Sequence, residues 1–491
     1  MELSKTRVGV IDIGSNSIRL VIYDRLKRVP IPIFNEKIMC ALGKGINKTK
    51  KLNQLGKKEA NKSIVRFVYM AHLMQVKKLF TFATAAVREA KDGKSFIDNL
   101  EKELSIKIEV LSGKKEAKLA GLGVLAAIPE ASGIIGDMGG GSFELAKVNN
   151  GKITEKKVSP LGALILLGIS SEGDDLISQT IHSHLNGFNE FQIETVNNFY
   201  AVGGGFRNLA KAYISINNYP IKILHNYKIK ATDLEYTLNK LINMPHSEIN
   251  SLENVSEKRS ETLKYTAILM KYIIQYMEPK YIIFSVYGVR EGILFNNLSK
   301  KEQLKDPLIS GSIDFISKNK QMIDYANELT EWLEPLFIEE DNNFKRLLNS
   351  ICILSNIARF EHPEYRGEIA FRRFFDSSII GISHQDRLFI ATALYYCYSS
   401  NLDESTINIS SLFLDETMLT KTKSIGYAIR LAYNITAGST GIISSINLKI
   451  NKPYLNLEFD IITKNLIGEV VEKHLSRLAK NINLNPKVEI E

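Results

Sequence analysis

Two segments of the sequence combine an aspartate with glycines and hydroxyl side chains, a set of groups suited to binding phosphate. The more glycine-rich one, at 133–148, reads GIIGDMGGGSFELAKV. Its three successive glycines leave backbone N–H groups free to approach phosphate oxygens. Asp137 can hold a divalent cation, and the hydroxyl of Ser142 can donate a hydrogen bond. A tight structural turn explains the same residues, so this segment alone leaves both interpretations open.

An equivalent segment lies near the N-terminus, where residues 8–17 read VGVIDIGSNS. In both segments an apolar run ends in aspartate, a glycine follows two residues later and a serine five residues later. In the first copy these residues are Asp12, Gly14 and Ser17. An internal repeat of this kind predicts two similar domains that present two hairpins to one cleft. The repeat therefore favours a phosphate clamp with two sides over an isolated structural turn.

The elements that must position these hairpins indicate an α/β fold. Residues 57–77 carry apolar side chains at helical spacing, and a β-rich run at 79–84 follows them. A helix is expected from Gly113 to about Ile128, and its small apolar residues suit a helix that connects the two halves. A third glycine turn, YAVGGGFR at 200–207, could seat an anion at a helix N-terminus. Taken alone, it is better explained as an ordinary connection between strand and helix.

Length and changes of composition predict four domains, because 491 residues exceed a single core. Residues 1–130 and 131–300 are expected to form the two duplicated domains, the second with a polar helical insert at about 174–197. Successive helices are expected over 301–435, followed by a small α+β domain at 436–491.

Charge and cysteine content limit the classes of function. The formal net charge is +9, which suits an anionic substrate, but the basic residues are spread along the sequence and do not argue for nucleic acid. Cys40, Cys352 and Cys397 lie far apart and outside any CxxC spacing, which indicates a reducing compartment without a disulfide framework or zinc site. The N-terminal sequence shows no leader, and no apolar run approaches about 18 residues. We therefore expect a cytoplasmic protein without a membrane span.

Six ordered motifs give the chain a resemblance to a known family. Residues 8–295 contain, in this order, DIGSNSIRLVIYD, ATAAVREA, LSGKKEAKLAG, GDMGGGSFEL, VGGGFRNLA and YGVREGIL. In order and spacing they are similar to the exopolyphosphatase and guanosine pentaphosphate phosphohydrolase family. The stretch FEHPEYRGE at 360–368 resembles the helical domain of the long bacterial members. The resemblance therefore covers nearly the whole chain.

The resemblance implies a duplicated actin-like fold, with substrate held between two ribonuclease-H-like domains and a helical HD-like domain after them. It implies hydrolysis of the terminal phosphate of inorganic polyphosphate, or of the 5′-γ-phosphate of guanosine pentaphosphate. Phosphoryl transfer needs positioning and charge neutralisation, so Mg²⁺ or another divalent cation is expected on Asp137. Asp12 either assists that metal or is satisfied by the amides of its own turn. A homodimer is also expected.

Two further residues receive roles from the resemblance. Arg88 matches the family's phosphate-binding arginine, whose planar fork can grip two oxygens. Glu116 is the expected general base or water-positioning group, since in-line attack needs a carboxylate near the terminal phosphorus. Many relatives carry two adjacent acids here, whereas this chain has Lys115 before Glu116. The residues expected to bind substrate are Ser15, Asn16, Ser17, Gly139, Gly140, Gly141, Ser142, Gly204 and Arg207.

The expected helical domain does not carry the residues of a metal-binding HD site. Asn356 stands where an acid is expected, Pro363 follows His362, and His384 is followed by a glutamine. We therefore expect no second metal centre, and a role for this domain in dimerisation or in guiding a long polyanion.

Two functions of another class use the same fold. One is a kinase or ATPase, which would need a nucleotide pocket at 203–207 and an acceptor site. The other is a non-catalytic sensor of polyphosphate or nucleotides. Both hairpins, Arg88 and Glu116 are present together in this chain, and hydrolysis is the function that uses all of them.

Overall fold

The chain forms two compact units, Met1–Leu304 and Lys305–Glu491. The computed structural model describes residues 6–170, 173–186, 197–253, 255, 257–316 and 319–490. No helix in these ranges is both long and apolar enough to cross a membrane. The predicted domain boundaries, the homodimer and the cytoplasmic location stay predictions.

The N-terminal unit begins with a mixed five-stranded sheet. Its elements are β1 Val8–Ile13, β2 Ser17–Tyr23, β3 Pro32–Met39, α1 Ile46–Thr49, α2 Gln54–Leu73, β4 Lys78–Ala83, α3 Ala85–Glu89, α4 Gly93–Leu104, β5 Glu109–Val110 and α5 Gly113–Ala127. The strand order is β3-β2-β1-β4-β5. β1 pairs antiparallel with β2 and parallel with β4. β1 lies in the middle of the sheet, and apart from Asp12 its residues are apolar.

A second sheet follows in the same unit. Its elements are β6 Gly133–Met138, β7 Phe143–Asn149, β8 Lys152–Ser159, α6 Ala163–Ile169, α7 Asp174–Leu185, β9 Asn198–Gly203, α8 Gly204–Ile216, β10 Tyr227–Lys230, α9 Ala231–Asn243, α10 His246–Ser251, α11 Glu257–Met277, β11 Tyr281–Phe284, α12 Val289–Asn296 and α13 Lys300–Gln303. The strand order is β10-β11-β9-β6-β7-β8. The predicted helical insert is helical over α7, while its residues 187–196 lie outside the described ranges.

The two sheets repeat one topology. The strands β8-β7-β6-β9-β11 follow each other in the same order as β3-β2-β1-β4-β5, with the same antiparallel and parallel pairings. The internal repeat read from the sequence is therefore a repeat of structure. Each sheet has its own cluster of buried apolar side chains, beneath α2 and α4 in the first and beneath α8, α9 and α11 in the second.

Helix α5 is shared between the two sheets, as its sequence predicted. Leu119 packs with side chains of the first sheet, and Val124 packs with side chains of the second. The helix also packs against α12 at glycines: a Cβ at Gly123 would overlap the carbonyl of Gly288, and a Cβ at Gly292 would overlap that of Leu119. Backbone contact at these positions leaves no room for a side chain, so the glycines fix how the two helices are placed.

The C-terminal unit is mostly helical and ends in a small sheet. Its elements are α14 Pro307–Phe315, α15 Lys320–Leu333, α16 Asn342–Leu354, α17 Arg366–Phe375, α18 His384–Tyr396, α19 Glu404–Ser411, α20 Glu416–Thr436, β12 Asn447–Asn451, β13 Tyr454–Phe459, α21 Glu469–Asn481 and β14 Asn485–Ile490. α18 is buried nearly all round and forms the centre of the helical layer. β13 pairs antiparallel with β12 and parallel with β14.

We predict that Gly123→Ala lowers the free energy of unfolding of the N-terminal unit by about 1–3 kcal/mol, because the added methyl group must displace backbone of α12. Thermal or denaturant unfolding measures the change. Gly168→Ala is the matched control, because its Cβ would meet only Asn47 Nδ2 at an ordinary 3.6 Å. It should be neutral or stabilising. Equal loss of stability in both variants would contradict the role given to the α5–α12 contact.

Candidate active site

The two predicted hairpins have the same turn and meet at one cleft. In the first turn the N–H of Gly14 donates to the carbonyl of Ser17 over 3.0 Å, and in the second the N–H of Gly139 donates to that of Ser142 over 3.0 Å. The turns touch, because a Cβ added at Gly140 would lie 3.2 Å from Ser15 Cβ. A side chain at Gly140 would therefore crowd the first turn where the two turns approach each other.

The carbonyl groups of both turns are bound by the segments that follow the hairpins. Asn16 O accepts hydrogen bonds from the N–H groups of Cys40 and Ala41, at 3.1 and 3.0 Å. Gly140 O accepts one from the N–H of Leu164 at 2.9 Å. These bonds hold the turns in one orientation. The backbone N–H groups of Ser15, Asn16, Gly140 and Gly141 donate to no backbone acceptor in the described part of the chain.

Unpaired N–H groups in consecutive turn residues form a concave surface that attracts anions. Two such turns meet here, and each lies at the end of a strand. Their N–H groups could donate hydrogen bonds to the oxygens of one or two adjacent phosphate groups.

Four carboxylates line the same cleft, those of Asp12, Glu116, Asp137 and Glu291. Burial raises the pKa of Glu116 to about 7 and that of Asp137 to about 6. A glycine makes room for Asp137, since a Cβ at Gly203 would lie 2.5 Å from its Oδ1. The third glycine turn of the sequence thus supports the aspartate of the second hairpin.

Asp137 and Asp12 fit a Mg²⁺ that binds together with a phosphate substrate. Mg²⁺ keeps near-octahedral oxygen ligands and is usually held by one or two carboxylates plus substrate phosphates and water. Within the described ranges, no group of three or more His, Cys, Asp or Glu is arranged to hold a metal alone. The two aspartates could supply part of a coordination shell that phosphate oxygens would complete.

Basic side chains surround the carboxylates. Arg19, Lys37, Arg207 and Arg290 all line the cleft. Arg19 faces Asp12 across the β1–β2 ladder, and Arg290 Nε lies 3.9 Å from Asp12 Oδ2. Burial lowers the pKa of Arg19 to about 10, a value at which it keeps its charge at neutral pH. Four cationic side chains therefore stand beside the carboxylates of the cleft, and an anionic ligand there would meet them.

Arg19, Lys37 and Arg290 were not identified from the sequence. Two signals were available, since Arg19 interrupts an otherwise apolar strand and Arg290 follows Gly288 in the first turn of a helix. Lys37 offered no signal, because one lysine in a mixed strand is ordinary surface composition.

Arg88 pairs with Glu116 and does not line the cleft. Its Nη1 donates to Glu116 Oε2 and to the carbonyl of Leu111, each over 2.9 Å, and its Nε donates to Glu89 Oε1 over 3.1 Å. The carboxylate of Glu116 reaches the cleft from the first turn of α5, where Ser112 caps the helix. This geometry lets Arg88 orient Glu116, while direct binding of phosphate by Arg88 stays a prediction.

The other predicted residues divide between two adjoining cavities. Those that line the cleft are Asp12, Ser15, Asn16, Ser17, Glu116, Asp137, Gly139, Gly140, Gly204 and Arg207. Those that line the adjoining cavity are Arg88, Gly141 and Ser142, again with Ser15 and Gly140. The contact between the two turns separates the cavities.

Glu144 is an acidic residue of this region that the sequence did not single out. It occupies the position on β7 that Arg19 occupies on β2, since Glu144 faces Asp137 as Arg19 faces Asp12. Its side chain is buried and its carboxylate oxygens have no hydrogen-bond partner in the described residues, although Arg88 Nη2 lies 3.8 Å away. Burial, and then the charge of Glu116, raises the pKa of Glu144 well above its ordinary value.

The sequence profile of the Ppx/GppA phosphatase family matches residues 21–301, and that of the exopolyphosphatase C-terminal region matches residues 315–486. The chain belongs to the Ppx/GppA phosphatase family. Its N-terminal unit carries the family's phosphatase region, and its C-terminal unit carries the region that follows it in exopolyphosphatases.

Two proteins similar to this chain carry different kinds of name, one regulatory and one enzymatic. Retrograde regulation protein 2 of Saccharomyces cerevisiae is 23% identical over 446 residues, which are 82% of this chain and 74% of that protein. Exopolyphosphatase 1 of Mycobacterium tuberculosis is 30% identical over 163 residues, which are 32% of this chain and 46% of that protein.

Solved structures of the family share the fold. An exopolyphosphatase from Cytophaga hutchinsonii matches 59% of this chain and 97% of its own with a TM-score of 0.52 at 25% identity. The Aquifex aeolicus family member matches 60% of this chain and 99% of its own with a TM-score of 0.51 at 23% identity. The predicted fold, a duplicated actin-like pair of domains followed by a helical region and a small sheet, is confirmed.

We predict that Glu144→Gln makes the protein less sensitive to alkaline pH. A raised pKa means that the folded state holds a proton that the unfolded state releases above about pH 4.3. The stability that Glu144 contributes is therefore present in full at low pH. It is lost as the pH rises toward the pKa of Glu144 in the folded state. The melting temperature of the variant minus that of wild type should therefore increase from about pH 5 to about pH 9. Calorimetry at several pH values measures this difference. A difference that stays constant with pH would contradict a protonated, buried Glu144.

Proposed function

We propose that the protein is an exopolyphosphatase that hydrolyses the terminal phosphate of inorganic polyphosphate with the help of Mg²⁺. One observation carries the proposal: Glu116, held by Arg88, lines the same cleft as both phosphate-type turns and the basic side chains. Phosphate binding alone would need only the two turns and the positive charge. A carboxylate oriented by an arginine beside them adds a group that can activate water.

In the proposed reaction the chain's own residues bind, orient and accept a proton. The N–H groups of the two turns would bind oxygens of the terminal phosphate, and Arg207 and Arg290 would neutralise the adjacent phosphates. Asp137, together with Asp12, would hold Mg²⁺, whose charge neutralises phosphate oxygens that the turns leave free.

Glu116 would accept a proton from the attacking water. As the bond from water oxygen to terminal phosphorus forms, the bridging P–O bond breaks and its electron pair stays on the shortened chain. The products are orthophosphate and a polyphosphate shorter by one residue. The hydrogen bond from Arg88 fixes which oxygen of Glu116 faces the water, so Arg88 acts as a positioning residue in this proposal.

We propose polyphosphate as the substrate over guanosine pentaphosphate on the names of the relatives that match this region. Relatives that match this region carry the name exopolyphosphatase, including the one from Mycobacterium tuberculosis. Hydrolysis of the 5′-γ-phosphate of guanosine pentaphosphate would use the same turns and the same base, and it is the alternative substrate. The ratio of kcat/KM for the two substrates decides between them.

A second candidate function is regulation without turnover. The similarity to retrograde regulation protein 2, whose name records a regulatory role, spans 82% of this chain. A regulator would bind polyphosphate or a nucleotide in the cleft and release no orthophosphate. Equilibrium binding measured beside product release separates this function from catalysis.

We predict that Glu116→Gln slows orthophosphate release from polyphosphate by about 10²–10⁴-fold in the presence of Mg²⁺, the range expected when a general base is lost. Glu109→Gln is the matched control, because Glu109 is an exposed glutamate that pairs with Lys115 and does not line the cleft. A colorimetric phosphate assay measures both. Equal rates in wild type and Glu116→Gln would overturn the mechanism.

We predict that kcat/KM falls as pH falls through about 7, because Glu116 must be deprotonated to accept a proton. The hydrogen bond and the positive charge of Arg88 both lower that pKa. Arg88→Met should therefore move the midpoint to higher pH, whereas Arg66→Met, at an exposed arginine paired with Glu36, should leave it in place. A midpoint that Arg88→Met leaves unchanged, or moves to lower pH, would contradict the pairing of Arg88 with the base.

A further inference from the structure

The C-terminal unit contains a cavity of about 630 Å³ that the proposed hydrolysis does not use. It lies among the segment after α16, the start of α17, the end of α18 and the second half of α20. Its volume falls in the range of cavities that bind small organic ligands, roughly 300–1,000 Å³. All of its lining residues belong to this unit.

The cavity is basic. Arg359, Arg366 and Arg430 line it, and Glu364, which is exposed, is the acidic residue among its lining residues. Arg366 Nε donates to the carbonyl of Glu361 over 2.9 Å, and Arg359 lies over the ring of Phe360. These contacts hold both side chains without neutralising them.

Arg430 is partly buried, whereas Arg359 is exposed. Burial, and then the positive charge of Arg477, lowers the pKa of Arg430. Arg477 donates from Nη1 to Ser400 Oγ over 2.6 Å, and Ser400 lines the same cavity. Neither arginine forms an ion pair with an acidic residue of the described chain. Partly buried cations kept together without a counter-charge gain stability when an anion binds.

Aromatic and amide side chains line the rest of the cavity. The rings of Tyr395 and Tyr398 are fixed by their hydroxyls, since Tyr395 Oη accepts from the N–H of Asp403 and Tyr398 Oη donates to the carbonyl of Ser355. The ring of Tyr433 is 45% exposed and open to stacking. The amide side chains on the cavity surface belong to Asn356, Asn401 and Asn434.

We propose that this cavity binds an organic phosphate that carries an aromatic ring, the chemistry of a nucleotide. The arginines would bind the phosphate groups, a tyrosine ring would stack on the base, and amide side chains would contact its polar edge. The residues do not suit a metal ion, because cations predominate and one exposed carboxylate is present. A bare phosphate chain would leave the aromatic and amide side chains without a partner.

The test is the affinity of the full-length protein for ADP and GDP, measured by isothermal titration calorimetry beside tripolyphosphate. Arg430→Ala and Arg359→Ala should each weaken nucleotide binding by about tenfold or more, the loss expected for a hydrogen bond to a charged group. Arg372→Ala is the matched control, because Arg372 is an exposed arginine of α17 that does not line the cavity. It should leave the affinity unchanged.

Two further variants separate this cavity from the cleft and from a simple anion site. Arg290→Ala should not change nucleotide affinity, and Tyr433→Ala should weaken nucleotide binding while leaving tripolyphosphate binding as it is. Absence of nucleotide binding, binding that survives both Arg430→Ala and Arg359→Ala, or binding abolished by Arg290→Ala would overturn the proposal. Tripolyphosphate binding to this cavity as tightly as ADP would overturn its nucleotide chemistry. Since Arg359 is exposed, its variant decides the question if Arg430→Ala does not fold.

Discussion

The contact between the two hairpin turns is the constraint on which the rest of the cleft depends. Gly140 and Ser15 approach so closely that a Cβ at the glycine would lie 3.2 Å from that of the serine. Because each turn ends a strand at the centre of its own sheet, this contact fixes the two sheets relative to each other at the site. Helix α5, packed on both sheets, then brings Glu116 to the same place.

The cleft gathers charges that a purely structural core would exclude. Buried carboxylates cost free energy unless a partner or a proton neutralises them. Here Glu116 is paired with Arg88, and burial favours the protonated form of Glu144. Asp12 and Asp137 face arginines across the cleft, but in the described residues neither aspartate forms a hydrogen-bonded ion pair with an arginine. Such an arrangement lowers the stability of the folded chain, which is typical of functional sites.

Much of this fold could be predicted from local patterns in the sequence. The repeat of aspartate, glycine and serine predicted both hairpins, and the small residues of α5 predicted its place between the two halves. The sequence could not show that Arg88 turns toward Glu116 and away from the cleft, because that depends on where α5 begins relative to β5. Nor could it show that Gly203 makes room for Asp137, since that contact joins segments far apart in the chain. The sequence did not indicate Glu144 as a site residue, because a single acidic residue in a strand is usually exposed. The burial of Glu144 depends on the elements that pack around β7.

In the proposed reaction, water attacks a terminal phosphate held between the two turns. Incubation of the protein with polyphosphate and Mg²⁺ in ¹⁸O-labelled water tests this step directly, with mass spectrometry of the orthophosphate released. Each orthophosphate should contain one oxygen from solvent. Transfer of the phosphoryl group to a nucleotide or an alcohol, or binding without release of orthophosphate, would contradict it.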